Sequence, residues 1–205
     1  MSRLFEKPAT DAHPGAGTTK PEFTLEQRRL LVNIAHASIA SGLVGDPLPE
    51  SPPDCPWPVL MEPRGVFTTL YLNGQLRGCV GYPLPIRPLY RAVAETARAA
   101  AFEDSRFWPV APEEARQLQI SLSVLSPLFP ILPSQVEVGR HGLMISRGMR
   151  HGLLLPQVPA EHDWDRETFL EQTCVKAGLP PDAWCKSATL EAFTAEVFGD
   201  EDAPA

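Results

Sequence analysis

Residues 66–81 read VFTTLYLNGQLRGCVG, and this stretch decides the fold. Its first part, 66–72, is rich in β-branched and aromatic residues, which favour a strand. Asn73-Gly74 supplies the two positive φ angles of a type I′ turn, and residues 75–81 return as a second strand. The sequence therefore predicts a β-hairpin at 66–81.

Helix signals flank this hairpin on both sides. Thr24, followed three residues later by Gln27, forms a capping box that opens a helix, and we expect Gly42 to end it. Pro88 suits a first helical turn, and apolar residues recur at helical spacing through 88–102. We expect this second helix to lie across the sheet that contains the hairpin.

The second half of the chain alternates strand and helix signals. The predicted elements, in order, are a short helix at 112–118, a strand at 119–126, a hairpin within 136–158 around the loop 147–150, a helix from Asp163 or Asp165 to about 177 with Gly178 after it, and a final strand at 190–198 that closes the sheet. Hairpins with separated helices indicate an α+β domain rather than a parallel βαβ array.

Composition narrows the class of protein. The 205 residues include 18 Lys plus Arg and 25 Asp plus Glu, a net charge of 18 − 25 = −7, which disfavours a general nucleic-acid binder. No run of 18 apolar residues and no signal peptide is evident, so we expect a soluble, cytoplasmic protein without a membrane role. We predict a flexible tail at 1–22, one two-lobed domain at 23–199 and an acidic tail at 200–205.

The absence of several motifs of fixed spacing argues against the chemistries that they support. The four cysteines contain no C-x2-C pair, and we expect free thiols. Phosphate loops, dinucleotide fingerprints, zinc-protease helices, serine elbows and radical iron–sulfur sets are all missing from the sequence. The sequence gives no reason to expect a cofactor or a metal.

The first candidate site is the segment 76–81, LRGCVG. Two glycines around Cys79 allow another group to approach the backbone, and the guanidinium of Arg77 favours a thiolate. In a functional interpretation, Cys79 is a nucleophile or a ligand contact, and Arg77 binds an anion. Alternatively, Cys79 is a small buried hydrophobic residue on an alternating strand.

The second candidate is the cluster 102–107, FEDSRF. An acid and a base, Asp104 and Arg106, stand between two aromatic residues where the second helix ends. The simpler interpretation is an ion pair that staples the helix exit. A catalytic role for Asp104 is the alternative.

Three arginines and two histidines form a third cluster, within residues 139–151. The cluster predicts either an anion site or a solvated hairpin tip. His141 can act as a general base if the fold brings it near Cys79. A structural turn histidine is the alternative.

A fourth group, His162, Asp163 and Asp165, has the residue types of a metal site. Trp164 lies among them, and H-x2-D spacing arises often by chance. Capping of the following helix is the better interpretation.

Five blocks of the chain resemble the AMMECR domain family in order and spacing. The similarity covers about residues 24–198, and the blocks are LRGCVG at 76–81, AFEDSRF at 101–107, VGRHGL at 138–143, LLPQV at 154–158 and KAGLPPDAW at 176–184. Val80 stands where the family usually has isoleucine, and Tyr82-Pro83 replaces its usual Thr-Phe.

The resemblance implies a fold and partners but no settled activity. It implies an α+β fold with two lobes, a larger one with an antiparallel sheet flanked by helices and a smaller α/β one, and a cleft lined by the RGC segment. Prokaryotic members occur with a Memo-type protein and a radical S-adenosylmethionine protein, which are the expected partners. The implied site residues are Arg77, Gly78, Cys79, Gly81, Asp104, Arg106, His141, Gln157 and Lys176.

Two functions remain open at this point. The first is a cleft enzyme or small-anion site with Cys79 as nucleophile, Arg77 on the anion and His141 as base. The second is a non-catalytic adaptor that docks on the two partner proteins. A sequence-specific nucleic-acid regulator is a third reading, and the charge of −7 disfavours it.

Overall fold

A computed structural model of the protein describes residues 21–49 and 56–202. The predictions for residues 1–20, for Cys55 and for residues 203–205 lie outside this part of the chain. In chain order the elements are α1 (Leu25–Leu43), β1 (Val66–Leu72), β2 (Gln75–Tyr82), α2 (Leu89–Phe102), α3 (Pro112–Ala115), β3 (Leu118–Leu125), β4 (Phe129–Pro130), β5 (Gly142–Arg147), β6 (Arg150–Leu154), α4 (Gln157–Glu161), α5 (Arg166–Lys176), β7 (Thr189–Phe193) and β8 (Ala195–Gly199).

The chain divides into two units, each with its own sheet and core. Within the described residues, the first unit comprises 21–49, 56–124 and 196–202, and the second comprises 125–195. Each sheet has four strands, in the order β2-β1-β3-β8 in the first unit and β4-β7-β5-β6 in the second. β1 runs antiparallel to β2 and β3, and β7 and β5 run antiparallel to their neighbours. The predicted α+β class is confirmed.

The first unit packs α2 against its sheet, and α1 packs against α2. Leu31, Leu70, Leu89 and Leu122 are fully buried there, and each contributes about 1.5–3 kcal/mol of burial free energy. This core forms because the apolar residues of α2 recur at helical spacing while those of β1 and β3 alternate. Helix α2, which was predicted at 88–102, lies across the hairpin β1–β2 as expected.

Local signals in the first unit mostly act as predicted. The capping box is present, with the Thr24 N–H donating to Gln27 Oε1 at 2.8 Å and the Gln27 N–H donating to Thr24 Oγ1 at 3.3 Å. Asn73 and Gly74 take φ of +51° and +75°, which confirms the two-residue turn between β1 and β2.

The prediction that Gly42 ends the first helix is wrong. α1 continues to Leu43, and the residue with positive φ is Gly45, at +77°. Gly42 lies inside the helix, and the Phe102 ring packs against it. Phe102 Cε2 is only 2.5 Å from where a Cβ would stand, so no larger residue fits without a shift of the ring. The glycine serves close packing rather than termination.

The second unit packs α5 against its sheet. Leu143, Ile145, Phe169 and Leu170 form its buried centre. Asp165 caps α5 by accepting from the Thr168 N–H at 2.8 Å, so the capping interpretation of the 162–165 cluster is confirmed. His162 stacks on Trp164 with ring centroids 4.8 Å apart, and Gly178 follows the helix with φ of +68°.

The final strand predicted at 190–198 is wrong in one respect. The chain forms two strands there, β7 in the second sheet and β8 in the first, with a break at Thr194. The break is fixed by a reciprocal pair of hydrogen bonds, because the Ser126 N–H donates to Thr194 O and the Thr194 N–H donates to Ser126 Oγ. The break was not predictable because β propensity continues through residues 190–198 without a turn signal.

Across the described ranges, every helix is too short or too polar to cross a lipid bilayer.

Candidate functional site

The Asp104–Arg106 pair binds the backbone of Cys79 at an open sheet edge. β2 is the terminal strand of its sheet, so the backbone groups on one side of it have no strand partner. The Cys79 N–H donates to Asp104 Oδ2 at 2.9 Å, and Arg106 Nη2 donates to Cys79 O at 3.3 Å. The two side chains satisfy the edge as a neighbouring strand would, and we call this arrangement the edge clamp.

The clamp is itself a bidentate ion pair. Arg106 Nε lies 2.9 Å from Asp104 Oδ1 and Arg106 Nη2 lies 2.7 Å from Asp104 Oδ2. The Asp104 side chain is 6% exposed and that of Arg106 is 44% exposed. Hydrogen bonds from Arg106 lower the pKa of Asp104 to about 2, and the Cys79 N–H contributes in the same direction against the effect of burial. The carboxylate is therefore charged at any physiological pH.

Arg77, the predicted anion ligand, forms a second bidentate pair. Its Nε and Nη2 donate to the two carboxylate oxygens of Glu114 at 3.1 and 2.9 Å, and Nη2 also donates to Pro109 O at 3.4 Å. This guanidinium lowers the pKa of Glu114, with help from the Ala111 N–H. Arg77 is mostly buried, so its charge is already compensated inside the protein.

The two glycines of the RGCVG segment are required by packing. A Cβ at Gly78 would overlap the backbone carbonyl oxygen of Ala100, so α2 crosses β2 at backbone distance there. A Cβ at Gly81 would overlap the Phe67 ring and lie 2.7 Å from Val66 O. The structure thus gives both glycines a role in close contact within the first unit.

The Cys79 side chain is half-buried on the sheet face opposite α2. Neighbouring side chains on a strand alternate between faces, and Gly78 faces the helix. The Thr69 hydroxyl, on the cross-strand neighbour, donates to Cys79 Sγ at 3.4 Å. The thiol is free, as are those of Cys174 and Cys185.

The segment 103–111, which we call the Trp108 loop, follows α2 and is held at several points. The Phe107 N–H donates to Asp104 O at 3.0 Å, and the Val110 N–H donates to Ala101 O at 2.9 Å. Arg77 holds Pro109 O on the far side. Between these anchors the Trp108 side chain is 88% exposed.

His141 belongs to the second unit and is buried there. The Glu137 N–H donates to His141 Nδ1 at 3.0 Å, and the imidazole lies edge-on to Phe129 with ring centroids 6.0 Å apart. Burial lowers the pKa of His141, and Arg140 acts in the same direction, against the opposing effect of the Glu137 charge. A neutral ring that accepts a backbone N–H is the form a structural histidine takes, and the role of His141 as a base to Cys79 stays a prediction.

The two remaining site residues of the sequence analysis are surface residues of the second unit. Gln157 is the first residue of α4, and Lys176 is the last residue of α5, where a cation suits the helix dipole. Their binding roles stay predictions. Within residues 21–49 and 56–202, no three His, Cys, Asp or Glu side chains are grouped to hold a metal ion.

Sequence reasoning missed three residues of this region. Glu114 is 37 positions from Arg77, and no local pattern links such a pair. The predicted hairpin in regular register pairs Thr69 with Gly78, and an irregularity between Leu70 and Tyr71 shifts Thr69 opposite Cys79. Trp108 was not singled out because a large aromatic residue is expected to be buried. Its neighbour Pro109 was the available signal for a surface loop.

Comparison with known proteins identifies the family. The family model named AMMECR1 matches residues 32–198. A Thermococcus gammatolerans protein is 46% identical over 188 residues, with 86% of this chain and 91% of that protein covered. The Methanopyrus kandleri protein MK0488 is 43% identical over 193 residues, with 88% and 92% covered.

A solved structure agrees with the fold. The crystal structure titled as uncharacterized protein PH0010 from Pyrococcus horikoshii matches with a TM-score of 0.72 and 42% identity, covering 86% of this chain and 92% of that one. The family model over residues 32–198 and the matches over most of both chains show that this chain belongs to the AMMECR1 family.

Proposed function

We propose that this protein is a non-catalytic, partner-binding subunit and that the Trp108 loop is its docking element. The proposal rests on one observation: the charged residues of the motifs are already bound to partners within the protein. Asp104 and Arg106 bind each other and the Cys79 backbone, and Arg77 binds Glu114. These interactions hold the loop that carries Trp108, a residue that is 88% exposed.

The first unit offers Cys79 little help as a nucleophile. Among the described residues of that unit, the side chain that hydrogen-bonds to its sulfur is the Thr69 hydroxyl, which is a poor proton acceptor at neutral pH. The nearby Asp104 carboxylate is held by Arg106 and by a backbone N–H. Within the described residues of the first unit, a thiol bonded to a hydroxyl rather than to a base favours a structural or binding role over covalent catalysis.

An exposed tryptophan on a loop whose backbone is held by hydrogen bonds is well suited to protein recognition. Tryptophan is enriched among the residues that dominate binding free energy, and arginine is the other common one. Arg106 is partly exposed and stacks over the Phe107 ring at 5.4 Å, next to Trp108. Because the loop is already ordered by its hydrogen bonds, little conformational entropy is lost when a partner binds.

The family resemblance supplies the candidate partners, the Memo-type protein and the radical S-adenosylmethionine protein. The proposal is that one of them, or both, receives Trp108 in an apolar pocket with an acidic group for Arg106. The cytoplasmic location predicted from the sequence is part of this proposal.

The test is pairwise binding with purified proteins. The Memo-type and radical S-adenosylmethionine proteins encoded in the same genome are immobilised in turn, and the full chain is titrated over them. We expect Trp108→Ala to weaken binding by about tenfold or more, a loss of about 1.4 kcal/mol. Leu132→Ala, at an exposed apolar residue of the second unit, is the matched control. The proposal fails if neither protein binds the wild-type chain or if Trp108→Ala binds as tightly.

A second candidate function has one observation in its favour. Cys79, Thr69 and Ser121 occupy one cross-strand row of the sheet, on the face away from α2. A cavity of about 370 Å³ is lined by Ser121, Tyr71 and Gln119, but not by Cys79 or Thr69. The second candidate is therefore a small-ligand site on this face of the sheet, with the Cys79 thiol on the edge strand β2.

Alkylation distinguishes the two candidates. A ligand site that uses the thiol requires Cys79 to react with iodoacetamide faster than a free thiol at pH 7, with Cys174 and Cys185 as internal controls. If Cys79 reacts more slowly than a free thiol until the protein unfolds, the second candidate is lost and the partner-binding proposal stands alone.

A further inference from the structure

The hairpin β5–β6 and the loop after α5 bring the basic residues of the second unit together. Arg147 Nη1 donates to Ser187 Oγ at 3.2 Å, and Arg150 Nη1 donates to Gly178 O at 2.9 Å. Both acceptors belong to the segment 177–187, which also follows Lys176 and contains Lys186. We call the surface formed by Arg147, Met149, Arg150, Lys176 and Lys186 the basic hairpin face.

Charge is unevenly distributed over this unit. Residues 125–195 carry six Lys and Arg and eight Asp and Glu, a net charge of 6 − 8 = −2, yet four of the six cations belong to the basic hairpin face. The acid within the segment 177–187 is Asp182, and it pairs with Lys186. The other three cations have no carboxylate partner within the described part of the chain.

The tip of the hairpin places like charges directly opposite each other. Arg147 pairs with Arg150 across the two-residue turn Gly148-Met149. Like charges at such positions destabilise a hairpin. Gly148 has φ of +62°, which the first central position of a type II′ turn requires, so the geometry of the tip is fixed. An anion bound between the two arginines would relieve the repulsion of their like charges.

Met149 is the apolar element of this surface. Its side chain is 95% exposed at the tip, between the two arginines. Methionine and arginine are both enriched in protein interfaces, and methionine adapts its shape to a partner's pocket. An isolated charge patch for counterions would not need this residue.

We propose that the basic hairpin face binds an acidic segment of a protein partner, with Met149 as the apolar anchor. The inference goes beyond the proposed function, because it concerns the second unit and does not require Trp108. Carboxylates take bidentate hydrogen bonds from the free edges of Arg147 and Arg150. A protein segment fits better than nucleic acid or a lipid surface, because the chain carries −7 overall and an extended polyanion would also meet its acidic surface.

Methyl NMR of the full chain tests this inference. The four methionines are labelled at the methyl carbon, and the Met149 signal is assigned from Met149→Ala. The probes are a synthetic peptide of about a dozen alternating Glu and Leu residues, a single-stranded DNA of similar length, and vesicles of phosphatidylserine and phosphatidylcholine. The signal of Met144, which is buried in β5, reports that each variant keeps its sheet.

We expect the peptide to move the Met149 signal to saturation at low salt, with binding weakened at about 0.5 M NaCl. Charge reversal in the double variant Arg147→Glu/Arg150→Glu should weaken binding by at least about tenfold. Arg140→Glu is the control, because this exposed arginine of the same unit already pairs with Glu137. The inference is overturned if Met149 does not respond to the peptide, if Arg140→Glu weakens binding equally, or if DNA or vesicles bind more tightly than the peptide.

Discussion

Replacing Asp104 by asparagine removes the charge from the edge clamp and keeps its shape. An amide oxygen in the place of Oδ2 can still accept from the Cys79 N–H and from Arg106 Nη2. The amide nitrogen in the place of Oδ1 cannot accept, so the hydrogen bonds from Arg106 Nε and from the Arg106 N–H are lost together with the charge. Arg106 is partly exposed and stays hydrated without its partner. The variant should therefore fold, with a measurable loss of stability.

The magnitude follows from the pKa of Asp104. The difference between the ordinary value of 3.8 and the folded value of about 2, at about 1.4 kcal/mol per pKa unit, corresponds to about 2 kcal/mol. Solvent around Arg106 reduces this figure to between about 1 and 2 kcal/mol. The folded protein binds the proton more weakly than the unfolded chain. The stabilisation is therefore complete above about pH 5 and is lost as the pH falls through 3.8 towards 2.

Urea unfolding at pH 7, 5 and 3 measures this effect. Wild type should exceed Asp104→Asn by about 1–2 kcal/mol at pH 7 and pH 5, with the gap closing at pH 3. Glu103→Gln, at the exposed neighbouring carboxylate, controls for loss of charge alone. Amide exchange at Cys79 should also be faster in Asp104→Asn. A gap below about 0.5 kcal/mol at pH 7, or one that is unchanged at pH 3, would refute the reasoning.

Three further predictions concern the surrounding structure. Gly78→Ala forces α2 away from β2 at Ala100 and should lower the free energy of unfolding by about 1–3 kcal/mol; a denaturation midpoint equal to that of wild type would contradict the close contact. Glu114→Gln leaves the mostly buried Arg77 without its anion and should cost about 2 kcal/mol, more than Arg77→Leu, in the same assay; the reverse order would count against the pair. His141 has a lowered pKa, so its contribution is full above pH 6.5 and falls as the pH drops below it. His141→Asn should flatten the pH dependence of stability between pH 7 and 5, and an unchanged profile would argue against a buried neutral ring.

The hairpin and the helix starts were predictable because their signals are local. Asn73-Gly74 allows one tight turn, and Thr24 with Gln27 completes a capping box from residues three apart. The end of α1 was not predictable in this way. Gly42 accommodates the ring of Phe102, a residue 60 positions away, and no local rule distinguishes that use from helix termination.

The sequence identified most residues of the candidate site, but it did not show which of them contact one another. The Asp104–Arg106 pair follows from two residues on one loop, and the structure confirms it. Its attachment to the Cys79 backbone depends on β2 being an edge strand, which is a property of the whole sheet. The partnership of Arg77 with Glu114 and the exposure of Trp108 likewise depend on tertiary structure.

We propose that the RGC strand supports the Trp108 loop and does not act through the Cys79 thiol. Cys79→Ala removes the sulfur but keeps the backbone N–H and carbonyl that the clamp binds. Affinity for the Memo-type or radical S-adenosylmethionine protein should therefore stay within about twofold in Cys79→Ala and fall by about tenfold or more in Trp108→Ala. Loss of binding in Cys79→Ala, with binding intact in Trp108→Ala, would contradict the account.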